Sequence, residues 1–436
     1  MSSDVHSQAW RHGRVRITRK REETDMASSD TQVSTAHSQS ASTTKFVQII
    51  PLFVAFFVMA FVDLVGTATN YIKPEFNLSN STANLFTTMV FFWFLVLSIP
   101  TSIVMNRIGR RNTVIAATWV TALATLMPVL AYVFTGGTAR FVLIVISFCL
   151  LGIGNALMQV SLNPLMTIFV TGDRLASMLT TGQFVKAIAS LIAPYVASWM
   201  MIQFSAWWGV YVICFVISVI GALALHFDRI EEPAPTATKV TFGSALRLLT
   251  DRTVLLCFLA IIAHTGIDVG INAQAPRILM ENTDIALSTA TAATMVYFAG
   301  RMIGSFVGGI ALQRISNKLG LRICGIAMAV AVVLYFYFAL TPSNPPVWAF
   351  WTATFLIGFG NVNVFGISLS RALNHLPERQ NEISGLMIMG LVGGAIIPPI
   401  MGLVADVMGQ VGSIIVVAVC VAYVVVLGLR YLVIEK

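Results

Sequence analysis

Charge is what this sequence has least of. Only 11% of the 436 residues are Asp, Glu, Lys or Arg, and 57% are hydrophobic; a soluble globule carries about 25% charge. A chain this poor in charge cannot cover itself for water, which excludes a soluble enzyme or binding module. Cysteine is scarce as well. Cys149, Cys214, Cys257, Cys324 and Cys420 are isolated in apolar runs, so neither a disulfide framework nor a zinc site is indicated. They read as small buried apolar groups. HExxH, GxSxG and Walker patterns are missing, which argues against an intramembrane enzyme and an ATP-driven pump; no metal and no cofactor is expected. An apolar signal-peptide core is missing too. Residues 1–45 are rich in Ser, Thr, Gln and Arg and read as a disordered cytoplasmic tail, with Met26 as an alternative start.

What is abundant is apolar sequence in long runs, with a mean hydropathy of +0.82. Runs long enough for spanning helices of about 20 residues are expected at 46–71, 84–105, 112–134, 141–169, 177–202 and 207–226. After a polar segment, 227–253, six more follow at 254–276, 287–312, 322–340, 347–373, 384–405 and 413–433. The expected architecture is an all-α membrane protein with twelve transmembrane helices. Residues 46–226 and 254–436 make two six-helix bundles joined by a cytoplasmic linker.

An even number of spans puts both termini on one side. The loops of that side carry Arg107, Arg110, Arg111, Arg174, Arg229, Lys239, Arg247, Arg252, Arg314, Lys318, Arg322 and Arg379; the opposite loops carry Lys73, Arg140 and Arg277. By the positive-inside rule both termini and the linker are cytoplasmic, in a plasma membrane or, in a prokaryote, the inner membrane. The same placement accounts for the +8 net charge without nucleic acid. The surrounding partner is the lipid bilayer, and a monomer is expected.

The two sets of helices are copies. Ser102-Ile-Val-Met-Asn106-Arg107-Ile-Gly109-Arg110-Arg111 returns as Gly309-Ile-Ala-Leu-Gln313-Arg314-Ile-Ser316-Asn-Lys318, an offset of 314 − 107 = 207. Leu151-Gly152-Ile153-Gly154-Asn155 returns as Ile357-Gly358-Phe359-Gly360-Asn361, an offset of 361 − 155 = 206. Two landmarks at one period mean a duplication, and in an apolar chain a duplication points to a transporter built of two related bundles. Pro194 and the pair Pro398-Pro399 sit at nearly the same offset, 398 − 194 = 204; prolines there permit bending as the bundles rock.

Polar side chains inside spans are costly and call for a reason. Asp63, Thr67 and Asn70 share a face of the first span; Asn155, Gln159 and Asn163 share one on the fourth. His264, Asp268 and Asn272 form a stripe on the seventh, and Asn361, Asn363 and Ser368 follow on the tenth. A shared aqueous cavity satisfies all four stripes, with Asn70, Asn155, Gln159, Asn163, Lys186, Asn272, Asn361 and Asn363 expected to bind substrate. The helical rise places Gln159 and Lys186 at one depth, about 15 Å from the cytoplasmic edge, so Lys186 is expected to reach Gln159 or Asn155. Asp268 and Arg301 differ in depth by about 6 Å and form a structural ion pair, since a buried cation needs a partner. No base lies at helical spacing from Asp63 on its own span. An acid without a counter-charge takes up a proton readily, so Asp63 is the expected proton carrier, with Asp268 second. His264 reads as a hydrogen-bonded residue beside Asp268. Asn106, Arg107, Arg110, Arg111 and Arg314, at helix–loop junctions, are expected to stabilise a gate. Each amide also has a plainer reading as a helix-to-helix bond.

The loop Ser102–Arg111 resembles the loop motif of the major facilitator superfamily, with Ser102 for the usual Gly and Asn106 for the usual Asp. Asn70-Tyr-Ile-Lys-Pro-Glu-Phe-Asn-Leu-Ser79, Leu151-Gly-Ile-Gly-Asn155, Asn163-Pro164 and Phe298-Ala-Gly-Arg301 are similar to the fucose–galactose–glucose:proton symporter family. The resemblance implies sugar uptake driven by proton entry, by alternating access. It aligns that family's first-helix acid with Asp63 only with a displacement of about one turn, and its fourth-helix acid with Gln159, which carries no proton. The expected function is therefore proton-coupled uptake of a monosaccharide by a secondary active transporter. Its alternatives are transport of an anionic sugar acid, for which Lys186 and Arg301 speak, and proton-driven efflux of small amphipathic compounds, against which the polar stripes speak. A sensor or scaffold without transport is a third reading.

Overall fold

In lipid a backbone has no water to bond, so an apolar run must satisfy its own N–H and C=O groups by coiling. The computed structural model describes residues 48–78, 80–228, 230–232, 241–283, 285, 290, 292–341 and 344–430, with the side chains of residues 70, 80–85, 87, 88 and 91 outside the description. Among the described residues the chain is helical, with short turns and no strand. The expected tail, 1–45, and residues 229 and 233–240 of the linker lie outside the described residues.

Helix α1 covers residues 48–75 and is interrupted by a 3-10 turn, Ala60–Asp63, before Leu64–Glu75. It is followed by α2 (Asn80–Ile108), α3 (Arg110–Phe134), α4 (Gly137–Leu165), α5 (Arg174–Phe204) and α6 (Val210–Phe227). After a short helix at Phe242–Arg247 come α7 (Arg252–Asn282), α8 (Ala292–Ala311), α9 (Asn317–Ala339) and α10 (Val347–His375). α11 runs as Gln380–Met389, a 3-10 turn Gly390–Val392 and Gly393–Met408; α12 is Gln410–Leu429. Ten of the helical segments are long and apolar enough to cross a membrane, by length and composition. Of the other two, α2 contributes the apolar stretch Phe92–Ile108, and α8 carries Arg301 in its middle.

Helix ends are fixed by local chemistry. At the start of α7 the Asp251 carboxylate accepts from the N–H groups of Thr253 and Val254, and at α9 the Ser316 hydroxyl accepts from Leu319 N–H. At α3 the chain turns through Gly109 at φ +90°, a conformation that a side chain disfavours. Here the cap comes from far away: Glu232 accepts from the backbone N–H of Arg110 (2.7 Å) and of Arg111 (2.6 Å). A carboxylate at a helix N-terminus meets both the free donors and the favourable end of the helix dipole.

The Gly-x-Gly repeat explains how the copies pack. A Cβ on Gly152 would lie 2.6 Å from Trp93 Cδ1 on α2, and one on Gly154 would lie 2.5 Å from Thr121 Oγ1 on α3. In the second copy a Cβ on Gly358 would strike the Tyr297 carbonyl on α8, and one on Gly360 would lie 2.8 Å from the Cys324 carbonyl on α9. Each pair of glycines lets α4 or α10 press against two neighbours at once, through faces two residues apart. The apolar interior falls into two clusters, one centred on α1–α6 and one on α7–α12, the first reaching into parts of α7, α10 and α11.

Candidate functional site

Two groups of polar side chains stand out against this interior. One lies in the middle of the helices, the other at the end that carries the α2–α3, α4–α5, α8–α9 and α10–α11 turns.

The mid-helix group begins with Asp63, the last residue of the 3-10 turn that breaks α1. A 3-10 stretch inside a helix loosens its hydrogen bonding and commonly marks a hinge. Opposite stand Lys186 and Ser190, one turn apart on α5. The Ser190 hydroxyl donates to Asp63 Oδ2 (2.5 Å), and Lys186 Nζ lies 4.0 Å from the same oxygen. The Asp63 side chain is 42% exposed and that of Lys186 13%. One turn further along α1, Gly66 faces open space.

On the other half, Asp268 of α7 has both oxygens engaged. Tyr297 of α8 donates to Oδ1, and Arg301 Nη1 donates to Oδ2 at 2.9 Å. One turn before Asp268, the His264 ring bonds the Asn361 carbonyl (Nδ1 to O, 2.9 Å) while Asn361 Nδ2 donates to the His264 carbonyl (2.9 Å). That reciprocal clamp ties α7 to α10.

Several expectations are corrected here. Lys186 reaches Asp63 and not Gln159 or Asn155, and Asp63 is not an acid without a cation: its partner comes from another helix, where spacing along α1 cannot reveal it. The four polar stripes do not all line open space. Asn155 and Asn361 are 4% and 0% exposed. Gln159 Nε2 donates to Asn155 Oδ1 (3.4 Å), Asn163 Nδ2 to the Gln159 carbonyl (2.6 Å), and Asn363 Nδ2 to the Gly304 carbonyl on α8 (3.1 Å). In this conformation the α10 amides tie neighbouring helices, while those of α4 bond within their own helix. Asn272 is half-buried on the α7 stripe, and its Oδ1 has no partner among the described residues. Asn70 has its side chain outside the described residues.

At the loop end, Arg110, the first residue of α3, donates from Nε to Asn381 Oδ1 (2.7 Å) and from Nη1 to the Pro164 carbonyl (2.9 Å) and Thr167 Oγ1 (3.1 Å). Asn381 donates in turn to Asn106, and Thr167 donates to Gln380 Oε1 (2.9 Å). Asn317 Nδ2, on the first residue of α9, donates to Asp173 Oδ1 (3.1 Å). Two serines one duplication apart (384 − 177 = 207) add a further pair: Ser177 donates to the Gly309 carbonyl (2.5 Å) and Ser384 to the Val160 carbonyl (2.7 Å). These bonds join the two halves and gather at one end. A recess of about 1000 Å³ opens there, lined by Asn106, Arg110, Glu232, Arg379 and Asn381 among others.

The arginines expected at a gate from the motif fall in different surroundings. Arg111 donates to the last carbonyls of α6, Leu225 (3.1 Å) and His226 (2.6 Å), and Arg322 does the same for α12 at Gly428 (3.1 Å) and Leu429 (3.3 Å). Among the described residues the exposed side chains of Arg107 and Arg314 make no hydrogen bond or ion pair. Asn381, Gln380, Ser190, Tyr297 and Glu232 escaped the sequence reading. The 207-residue offset, applied to Ser177 and Ser384, would have found that pair. Beside this gate, burial alone would raise the Asp251 carboxyl, but the N–H groups of Val254 and Thr253 and the His375 ring hold it below the usual range.

The family model of the Major Facilitator Superfamily matches residues 52–387 and 256–436. Over 392 residues, 86% of this chain and 91% of its relative, the chain is 24% identical to a protein of Brucella abortus described as a glucose/galactose transporter. Its fold is that of the E. coli fucose:proton symporter, with a TM-score of 0.73 at 17% identity over 88% of this chain and 98% of that one. A proton:xylose symporter solved with 6-bromo-6-deoxy-D-glucose has a TM-score of 0.67 at 14% identity, covering 89% of this chain and 95% of the other.

Proposed function

The chain belongs to the Major Facilitator Superfamily, and on that premise we propose that it is a secondary transporter that takes up a monosaccharide together with a proton. The observation that carries this reading is Asp63. It is a half-exposed carboxylate in the middle of a spanning helix, with one oxygen held by Ser190 and Lys186 and the other, Oδ1, without a partner among the described residues. A free carboxylate oxygen in a polar cavity can accept a sugar hydroxyl or a proton. The relative described as a glucose/galactose transporter and the solved symporters of fucose and xylose support the choice of sugar. The proton gradient supplies the energy, with no cofactor.

The loop end carries most of the cations, so the positive-inside rule makes it cytoplasmic, together with both termini. With the inter-half bonds gathered there, this conformation is the one open to the outside, and transport requires those bonds to break. The protein works as a monomer in this reading. Proton-driven efflux of amphipathic compounds is disfavoured by two mid-helix ion pairs, which an apolar cargo beside them would leave unsolvated. The test is a panel of monosaccharides offered to proteoliposomes with an imposed inward pH gradient. Accumulation of one sugar above its outside concentration, abolished by collapsing the gradient, is the expected result; no accumulation of any sugar overturns the proposal.

A further inference from the structure

The two mid-helix ion pairs differ in what they leave uncommitted. Asp268 and Arg301 are in direct contact at 2.9 Å, and Tyr297 occupies the second carboxylate oxygen. In that pair each carboxylate oxygen already has a donor. Asp63 and Lys186 stand 4.0 Å apart, beyond the 3.2 Å or so of an N–H···O hydrogen bond. Ser190 takes the place of closest contact on Oδ2. Oδ1 is left free, and the ammonium, with three donors, has no hydrogen bond to any side chain among the described residues. Gln159, Asn163, Asn361 and Asn363, amides of α4 and α10 that could also read a polar cargo, each spend a donor on a backbone carbonyl or on Asn155.

A carboxylate acceptor and an ammonium donor side by side, each with capacity to spare, match one feature of a sugar. A hydroxyl both donates and accepts, so two hydroxyls on neighbouring carbons can give a proton to one group and accept one from the other. We propose that Asp63 and Lys186 act as one unit that reads two adjacent hydroxyls of the sugar, one donating to Asp63 Oδ1 and the next accepting from Lys186 Nζ. Ser190 is a positioning residue in this unit. By holding Oδ2 it fixes which oxygen is presented, while the 3-10 turn of α1 aims the side chain. The inference rests on the sugar-transport reading and adds to it the part of the sugar that is recognised and the residue, Lys186, that sets specificity beside the proton site.

Recognition of this kind has a measurable signature. A site built to bond a hydroxyl is left with unsatisfied polar groups when the hydroxyl is missing, so the deoxy analogue is rejected. For a hydrogen bond to a charged group in a half-exposed site the rejection is about tenfold or more. The experiment is counterflow exchange in proteoliposomes, which needs no pH gradient, using a transported sugar and its monodeoxy analogues at successive carbons. The wild type is expected to discriminate against the two analogues that lack one of two adjacent hydroxyls. Lys186→Met, which keeps the stem and removes the donors, is expected to lose discrimination at one of those two carbons and retain it at the other. Lys186→Arg is expected to keep both.

A common slowing of every analogue by Lys186→Met overturns the proposal, because it makes the pair structural; so does a wild type that treats all monodeoxy analogues alike. If the wild type exchanges no sugar, the transport reading itself falls and takes this one with it. Should Lys186→Met fail to insert, thermal stabilisation of the purified wild type by the sugar and by its analogues gives the same ranking without a variant. Equal stabilisation by all of them overturns the proposal as well.

Discussion

Arg110 Nε and Asn381 Oδ1 meet at 2.7 Å across the two halves, and the same meeting occurs once more a duplication away, between Asn317 and Asp173 at 3.1 Å. Arg110 and Asn317 are the first residues of α3 and α9, 317 − 110 = 207 apart; Asp173 and Asn381 sit at the starts of α5 and α11, 381 − 173 = 208 apart. Each half thus sends the first residue of its third helix to the start of the other half's fifth. The period that repeats the fold also builds a two-sided fastening, and the sides need not be chemically alike: one pairs a guanidinium with an amide, the other an amide with a carboxylate.

Asn381→Ala removes the acceptor of Arg110 and the donor to Asn106 without touching the mid-helix group. The expected effect is a loss of about 1.5 kcal/mol of closure, roughly tenfold in the ratio of closed to open loop end. Amide hydrogen exchange of residues 377–384 and 166–174 should quicken. Unchanged exchange in both segments would mean that the bond does not hold the end closed.

Asp63→Asn keeps the shape of the side chain and removes its charge. It is expected to abolish accumulation of sugar against a gradient while leaving exchange across the membrane measurable, weakened by the loss of a charged acceptor for the sugar hydroxyl. Accumulation at the wild-type level would remove Asp63 as the proton carrier.

Gly358→Ala puts a methyl group into the Tyr297 carbonyl on α8. Over-packing of this kind costs about 1–3 kcal/mol, seen as a lower Tm in detergent. Gly402→Ala, on α11 with open space around it, should stay within about 0.5 kcal/mol. Equal Tm values for the two variants would contradict the close approach of α8 and α10.

The cap on α7 predicts a pH dependence. The Asp251 carboxyl is held below its usual range by the N–H groups it accepts from and by His375. A depressed folded value means that its contribution is fully present above the unfolded value of about 3.9 and is lost as pH falls through the folded value. Asp251→Ala is expected to cost about 1 kcal/mol at neutral pH, as other N-caps do. The difference in Tm from wild type should shrink as pH is taken below 4 or so. A difference independent of pH would show that the carboxylate does not act as the cap.

The amino-acid order by itself determined the helices, their number and their pairing into two copies. Those follow from the length of apolar runs and from a period of about 207 residues, both properties of one dimension. It also determined that Asp268 and Arg301 meet, because depth along a helix can be read from spacing. What only the tertiary structure decided is which polar group faces which across helices. Lys186 meets Asp63 and not Gln159, since depth fixes height in the membrane but not rotation about the helix axis or which neighbour stands opposite. The amides of α10 turned out to hold it to α7 and α8 in this conformation, while those of α4 bond within their own helix. The glycines beside them let backbones approach until an amide reaches a neighbouring carbonyl before it reaches the cavity.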